Sequence, residues 1–313
     1  MDLVKGLTKG YIYVMIAAVM WASSGTAGKA LFESGITPFD LVQIRVTFSS
    51  IVLAVVFTIF SRSLMQIRIR DVAYFFLLGG VVMALVQFTY FYTISKIQVL
   101  AAILLQYLSP IFVALFSMLF WGEKPDVSKL SSLLLAVLGA YLVVGGYNLE
   151  ILKMNRVGIL VGLASALLYS AYALLGERAM HRYAPWTVVF YSFVFGAVSL
   201  NLFHSPFQYL WADYSLNQWF WISYIVLMGT ILPFGLYFVG INYVRSTRAM
   251  ITATLEPIAA GIMAYVFLGE TLEAFQLLGT ALVITAIVLL QLNREHDERA
   301  PDSVRAGSES RTC

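Results

Sequence analysis

Two stretches of this chain carry one pattern 147 positions apart. Ser109-Pro110 followed by Trp121-Gly122-Glu123 recurs as Glu256-Pro257 followed by Leu268-Gly269-Glu270, with the offset held from 110 to 257, 122 to 269 and 123 to 270. Pro38 and Pro185 keep the same spacing, and each opens an apolar stretch. A period this long is not that of a solenoid; it marks two related halves built on one plan.

What solvent those halves fold in follows from composition. Of 313 residues, 60% are hydrophobic and 12% charged, and the mean hydropathy is +0.82. That is more apolar surface than one soluble core hides. Runs of roughly 20 apolar residues cross a hydrocarbon layer of about 30 Å. Ten such spans are predicted: 10–28, 39–60, 72–95, 99–120, 130–146, 157–176, 185–203, 219–241, 249–268 and 272–292. Helices are expected rather than a barrel, because the runs are continuously apolar with no alternation at period two. The expected organisation is a cytoplasmic segment 1–9, a first five-helix repeat 10–147, an extracytoplasmic linker 148–156, a second repeat 157–292 and a disordered cytoplasmic tail 293–313. The first run follows Lys5 and Lys9 but has no convincing small-residue cleavage site after it, so it reads as a retained helix. The single cysteine, Cys313, leaves no disulfide framework.

Orientation is read from the 20 Lys and Arg residues. Arg45 lies inside a span, Lys29, Lys96, Lys153 and Arg156 fall on one side, and the other fifteen fall with the termini. Cytoplasmic termini are therefore expected by the positive-inside bias. The formal net charge of +3 reflects this topology and not nucleic-acid binding.

Five spans per half is an odd number, so the second half enters the membrane the opposite way from the first. Inverted repeats of this kind place a shared mid-membrane site where it can face either side. The five-plus-five layout with its doubled Pro, twelve residues, Gly-Glu pattern resembles the EamA-type family of the drug/metabolite transporter superfamily, over about residues 10–292. The resemblance implies an all-α inner-membrane carrier of small metabolites, exporting amino acids or related compounds by alternating access. It does not identify the cargo.

A charge at bilayer depth costs about 2.5–3.5 kcal/mol on insertion scales, so each one needs a reason. Arg45 and Glu256 are the two charges well inside the predicted spans, and their repeat counterparts are Ser192 and Ser109. Together they fit a zwitterion: Arg45 forks a carboxylate, and Glu256 accepts an ammonium group or carries a coupled proton. The plain alternatives are a mutual salt bridge, or Arg45 reaching back to the interface.

Pro110 and Pro257 each delete a helical hydrogen bond and serve either as hinges or as bends in a packing surface. Pro233, opposite Val86 in the first half, is a third hinge candidate, a gate of the eighth span's own. Glu123 and Glu270 fall between helices and are read as structural carboxylates favouring the positive end of the helix that follows. Among the aromatic residues, Trp21, Tyr90, Tyr92, Tyr107, Tyr169 and Tyr172 are placed either to line a pocket or to pack. Trp21 leads because Ser23, Ser24, Gly25 and Thr26 follow it. Gln87 and Gln106 bind cargo or bridge helices. The candidate substrate-binding set is thus Arg45, Glu256, Trp21, Tyr90, Gln87, Gln106, Tyr107 and Tyr172.

Enzyme readings lack their residues. No His-Glu-x-x-His or Walker sequence occurs, no aspartate sits mid-span, and His181, His204 and His296 lie far apart. No catalytic residue, metal or cofactor is expected. The expected function is a secondary carrier of a small, neutral or zwitterionic metabolite, with amino acids leading and proton coupling through Glu256 in view. Efflux of amphipathic or cationic compounds is the alternative within transport, and a passive channel or membrane sensor the alternative outside it. The expected partners are the substrate and the bilayer; oligomeric state is not readable from the sequence.

Overall fold

The computed structural model describes residues 2–120, 127–203, 212–244, 249 and 252–297, and every long element among them is helical. The helices are α1 (Asp2–Glu33), α2 (Pro38–Phe60), α3 (Val72–Phe75), α4 (Ala84–Lys96), α5 (Val99–Gln106), α6 (Ser109–Phe120) and α7 (Val127–Val143), then α8 (Leu149–Met180), α9 (Pro185–Phe203), α10 (Leu216–Val226), α11 (Leu232–Tyr243), α12 (Leu255–Leu268) and α13 (Ala274–Asp297). Wide π-helical turns join α3 to α4 (Phe76–Met83) and α10 to α11 (Leu227–Ile231). Among the described residues, six helical runs are long and apolar enough to cross a membrane: Thr8–Glu33, Pro38–Phe60, Ile69–Lys96, Asn155–Met180, Pro185–Phe203 and Leu216–Tyr237. Four shorter apolar helices among the same residues are Val99–Val113, Leu130–Val143, Leu255–Leu268 and Ala274–Leu290. The chain is a multi-pass membrane protein, and its outward faces carry exposed Ile, Leu, Val and Phe as a lipid solvent requires.

Local chemistry explains the starts and stops. Pro38 and Pro185 both occupy first helical positions, where a missing N–H costs nothing, and Thr37 caps α2 by accepting the Asp40 N–H at 3.1 Å. The repeated Gly-Glu also has a backbone reason in the second copy. Gly269 ends α12 at φ 67°, a left-handed cap that glycine adopts without steric cost.

Several expected boundaries are corrected. Segment 2–9 is the first turns of α1, and α8 begins at Leu149, so most of the expected linker 148–156 is helix. The fifth helix covers 127–143 rather than 130–146, and α13 runs on to Asp297 into the expected tail, whose residues 298–313 lie outside those described. The expected continuous span 99–120 is broken at Tyr107-Leu108, and a turn at Thr254 interrupts the span expected over 249–268.

Proline accounts for both breaks. In an unbroken helix the carbonyls of Gln106 and Ala253 would bond to residues 110 and 257, which have no N–H to give. Neither Pro110 nor Pro257 bends a helix interior; each sits in the first turn of a new helix, α6 or α12. The Ser170 hydroxyl on α8 lies 2.9 Å from the Ser109 carbonyl at the start of α6 and 2.7 Å from the Ala166 carbonyl of its own helix. Pro233 likewise sits in the first turn of α11, directly after a π turn. Its counterpart region has a π turn without any proline, so Pro233 does not make the turn.

Candidate functional site

A cavity of about 240 Å³ lies among the helices, lined by α1, α2, the π turn before α4, α4, the α5–α6 break, α8, α9, α11, the α12 break and α13. Seven rings face it: Trp21, Tyr90, Tyr107, Tyr169, Tyr172, Phe234 and Tyr237. Trp21 packs against Phe234 and Tyr237, with ring centroids 5.3 Å apart in each pair. The polar lining is Ser24, Arg45, Gln87, Gln106, Ser109 and Glu256.

Arg45, on α2, is 4% exposed and held by both side-chain and backbone acceptors. Its Nε–H donates to Thr230 Oγ1 at 2.6 Å, Nη1 donates to Gln87 Oε1 at 3.2 Å, and Nη2 donates to the Gly229 carbonyl at 3.1 Å. The guanidinium carbon lies 4.9 Å from the centroid of Phe91, within cation–π range. These partners offset the desolvation that a buried cation otherwise suffers.

Glu256 stands in the first turn of α12, where the helix dipole favours a carboxylate. Its Oε2 is 2.9 Å from the Tyr107 hydroxyl, and that hydroxyl is also 2.9 Å from the Ala253 carbonyl, the group Pro257 leaves without a helical donor. Arg45 and Glu256 form no ion pair with each other; Arg45 is instead buried and donates to Thr230, Gln87 and Gly229. The ion pair present among the described residues joins Arg182 and Asp71 at 3.8 Å, near the surface.

All eight sequence-predicted binding candidates, Arg45, Glu256, Trp21, Tyr90, Gln87, Gln106, Tyr107 and Tyr172, line this one cavity, and Pro110 lines it too. Gln106 also bridges helices, its Nε2 donating to Ser165 Oγ at 3.0 Å. Tyr172 reaches Ser192 Oγ only at 3.5 Å. Tyr92 is not among the lining residues; its ring lies 5.3 Å from the Lys96 ammonium. The candidate set omitted Phe234, Tyr237, Gly229, Thr230 and Phe91. Gly229 and Thr230 stand in the Gly-Thr-Ile-Leu-Pro stretch, where Pro233 is the residue that carries a sequence signal. Among the described residues no group of three or more His, Cys, Asp and Glu is placed to hold a metal.

Glu270 belongs to a separate junction, and its partner is not the helix expected. Its carboxylate does not serve the helix that follows; Oε2 accepts the Val99 N–H at 2.9 Å and so caps α5 from across the molecule. Burial raises its pKa above the usual glutamate value, while the Val99 N–H and Lys29 pull it down. Lys29 Nζ donates to the Ile94 and Ile97 carbonyls at 2.9 and 3.0 Å, and Gln98 Nε2 donates to the Thr271 carbonyl at 2.8 Å. Glu123 lies outside the described residues. Helix α5, buried from Val99 to Leu105, runs from this junction to the cavity at Gln106.

The model of the EamA-like transporter family matches residues 8–145 and 156–292. The uncharacterized inner membrane transporter YicL of Salmonella typhimurium is 30% identical over 296 residues, covering 93% of this chain and 98% of that one. The pseudopaline exporter CntI of Pseudomonas aeruginosa is 27% identical, covering 70% of this chain and 75% of its own. The threonine/homoserine exporter RhtA of Escherichia coli is 25% identical, covering 66% and 67%. A solved crystal structure matches the fold with a TM-score of 0.61 at 16% identity, over 93% of this chain and 99% of that one. With the family model matched on both sides of the 147-residue repeat and a relative aligned almost end to end, the chain belongs to the EamA-like transporter family.

Proposed function

We propose that this protein is a secondary carrier of ten spans, arranged as two inverted five-helix repeats, which exports a small zwitterionic metabolite across the inner membrane by alternating access. Both termini are cytoplasmic in this reading. Arg45 meets the cargo's carboxylate and Glu256 its ammonium group, and the aromatic walls accept its apolar body. One observation carries the reading: two opposite charges border one buried cavity without pairing with each other. Amino acids are the leading cargo class, and relatives named as exporters of threonine and homoserine and of pseudopaline agree with that direction.

Proton exchange at Glu256 supplies the coupling. Tyr107 has one phenolic proton for two acceptors at 2.9 Å, so the arrangement is completed when Glu256 carries a proton or when a cargo ammonium supplies the missing donor. Proton and ammonium then exclude each other at the same carboxylate.

A second reading, efflux of amphipathic cations, is favoured by the seven rings and by the three N–H groups that Arg45 has already committed. Proteoliposome counterflow with labelled L-threonine and L-homoserine, with and without a proton gradient, tests the reading. Saturable uptake that trans-substrate accelerates is the expected result. Uptake of a lipophilic cation with none of either amino acid would transfer the assignment to the second reading. Linear flux without trans-stimulation would make the protein a channel.

A further inference from the structure

Arg45 and the groups that hold it come from different matched segments: Arg45 from 8–145, Gly229 and Thr230 from 156–292. Two local features of the second segment build this socket. Thr230 is fully buried, and its hydroxyl donates to the Ile225 carbonyl five residues back at 3.0 Å, a spacing that belongs to the π turn. A hydroxyl whose proton is committed in this way meets Arg45 only as an acceptor, at 2.6 Å from Nε. Pro233 provides the second feature. The Gly229 carbonyl would bond to the N–H of residue 233 in an α-helix, and a proline there has none, which leaves that oxygen to Arg45 Nη2.

A guanidinium has five N–H donors in a fixed planar fork. Nε and Nη2 form one side edge, and the socket fills it; Nη1 gives one N–H to Gln87, and Phe91 covers a face. Two N–H groups remain, one on each terminal nitrogen, and terminal guanidinium N–H groups are the donors that take a carboxylate. Arg45 borders the cavity, whereas Thr230 and Pro233 do not. We propose that Thr230 and Pro233 are positioning residues: they lock the Nε and Nη2 edge of Arg45 into the α10–α11 turn and so present its remaining terminal N–H groups to a carboxylate on the cargo. The inference rests on the reading of Arg45 as the carboxylate site.

The test is competition against labelled L-threonine uptake in proteoliposomes by unlabelled L-threonine and by L-threoninol, which lacks the carboxylate. Wild type is expected to prefer threonine. Thr230→Val keeps the shape without the acceptor, and Pro233→Ala restores an N–H that competes for Gly229. Each is expected to raise KM for threonine about tenfold, the size of one hydrogen bond to a charged group, with threoninol affinity and maximal rate moved by less than about twofold. Thr230→Ser should restore the preference. Should Thr230→Val fail to fold, Pro233→Ala, which favours the helix, still decides the matter. Equal loss for threonine and threoninol, or no loss in either variant, overturns the positioning role alone. A wild-type protein that does not distinguish the two compounds overturns the carboxylate reading of Arg45 and this inference with it.

Discussion

Tyr107 stands at the break between α5 and α6, and its hydroxyl reaches across to Glu256, 2.9 Å away in the first turn beyond the other break. Arg45 shows the reciprocal arrangement, held by Gly229 and Thr230 of the later segment. Each buried charge therefore rests on the segment to which it does not belong. Proline is the common device, since Pro257 frees the Ala253 carbonyl for Tyr107 and Pro233 frees the Gly229 carbonyl for Arg45.

Removing the Tyr107 hydroxyl should accordingly affect function more than folding. A hydrogen bond to a charged group is worth about 1.5–3 kcal/mol, and 1.4 kcal/mol is tenfold. Tyr107→Phe is expected to slow counterflow of labelled L-threonine about tenfold or more, and Glu256→Gln to abolish its response to a proton gradient. Either variant transporting at the wild-type rate, with wild-type pH response, would remove Glu256 from the coupling.

The apolar runs were legible in the sequence because lipid demands them, and Arg45 and Glu256 stood out because a charge inside such a run is expensive. The breaks were harder to place. A proline announces a lost hydrogen bond, but whether the helix kinks at it or restarts just before it depends on which group takes the orphaned carbonyl, here a tyrosine 146 positions away in sequence. Thr230 and Gly229 carry no sequence signal for a related reason. Small and hydroxylated residues are ordinary in membrane helices, and only the approach of Arg45 from another helix gives this pair its role. Glu270 looked like a cap for its own neighbour, and its actual partner, the Val99 N–H, is set by tertiary packing.

The socket also explains a requirement for glycine at 229. A Cβ there would lie 2.2 Å from Ser24 Oγ and 2.6 Å from Ser24 Cβ on α1, far inside contact distance. Gly229→Ala is expected to lower stability by about 1–3 kcal/mol, as overpacking does. Ser24→Gly in the same chain should recover most of that loss, because it removes both clashing atoms. Thermal unfolding of the two single variants and the double variant measures the coupling. Strictly additive effects would contradict the contact.

The Glu270 junction makes a pH-dependent prediction. Burial raises this carboxyl's pKa above the ordinary 4.5, so the folded protein holds the proton more tightly than the unfolded chain. By linkage this contribution is fully present below 4.5 and is lost as pH rises through the raised folded value. Glu270→Gln, which imitates the protonated side chain, is expected to remove this part of the pH dependence. The wild-type minus variant difference in melting temperature should therefore become more unfavourable to wild type as pH increases through that window. A difference that stays flat, or has the opposite slope, would show that Val99 and Lys29 outweigh the burial.

Topology can be tested with the chain's own chemistry, because Cys313 is its single thiol. In a Cys313→Ser background, Ser34→Cys and Ser63→Cys place one thiol in each of the exposed junctions that follow α1 and α2. The excess of Lys and Arg on the side of the termini predicts that position 34 faces outward and position 63 the cytoplasm. A membrane-impermeant maleimide applied to intact cells should label the thiol at 34 at once and the thiol at 63 only after permeabilisation. The reverse pattern would invert the carrier and with it the assignment of export. Labelling of both positions from outside would mean that α2 does not cross, and the duplicated five-span plan would then lose its second crossing.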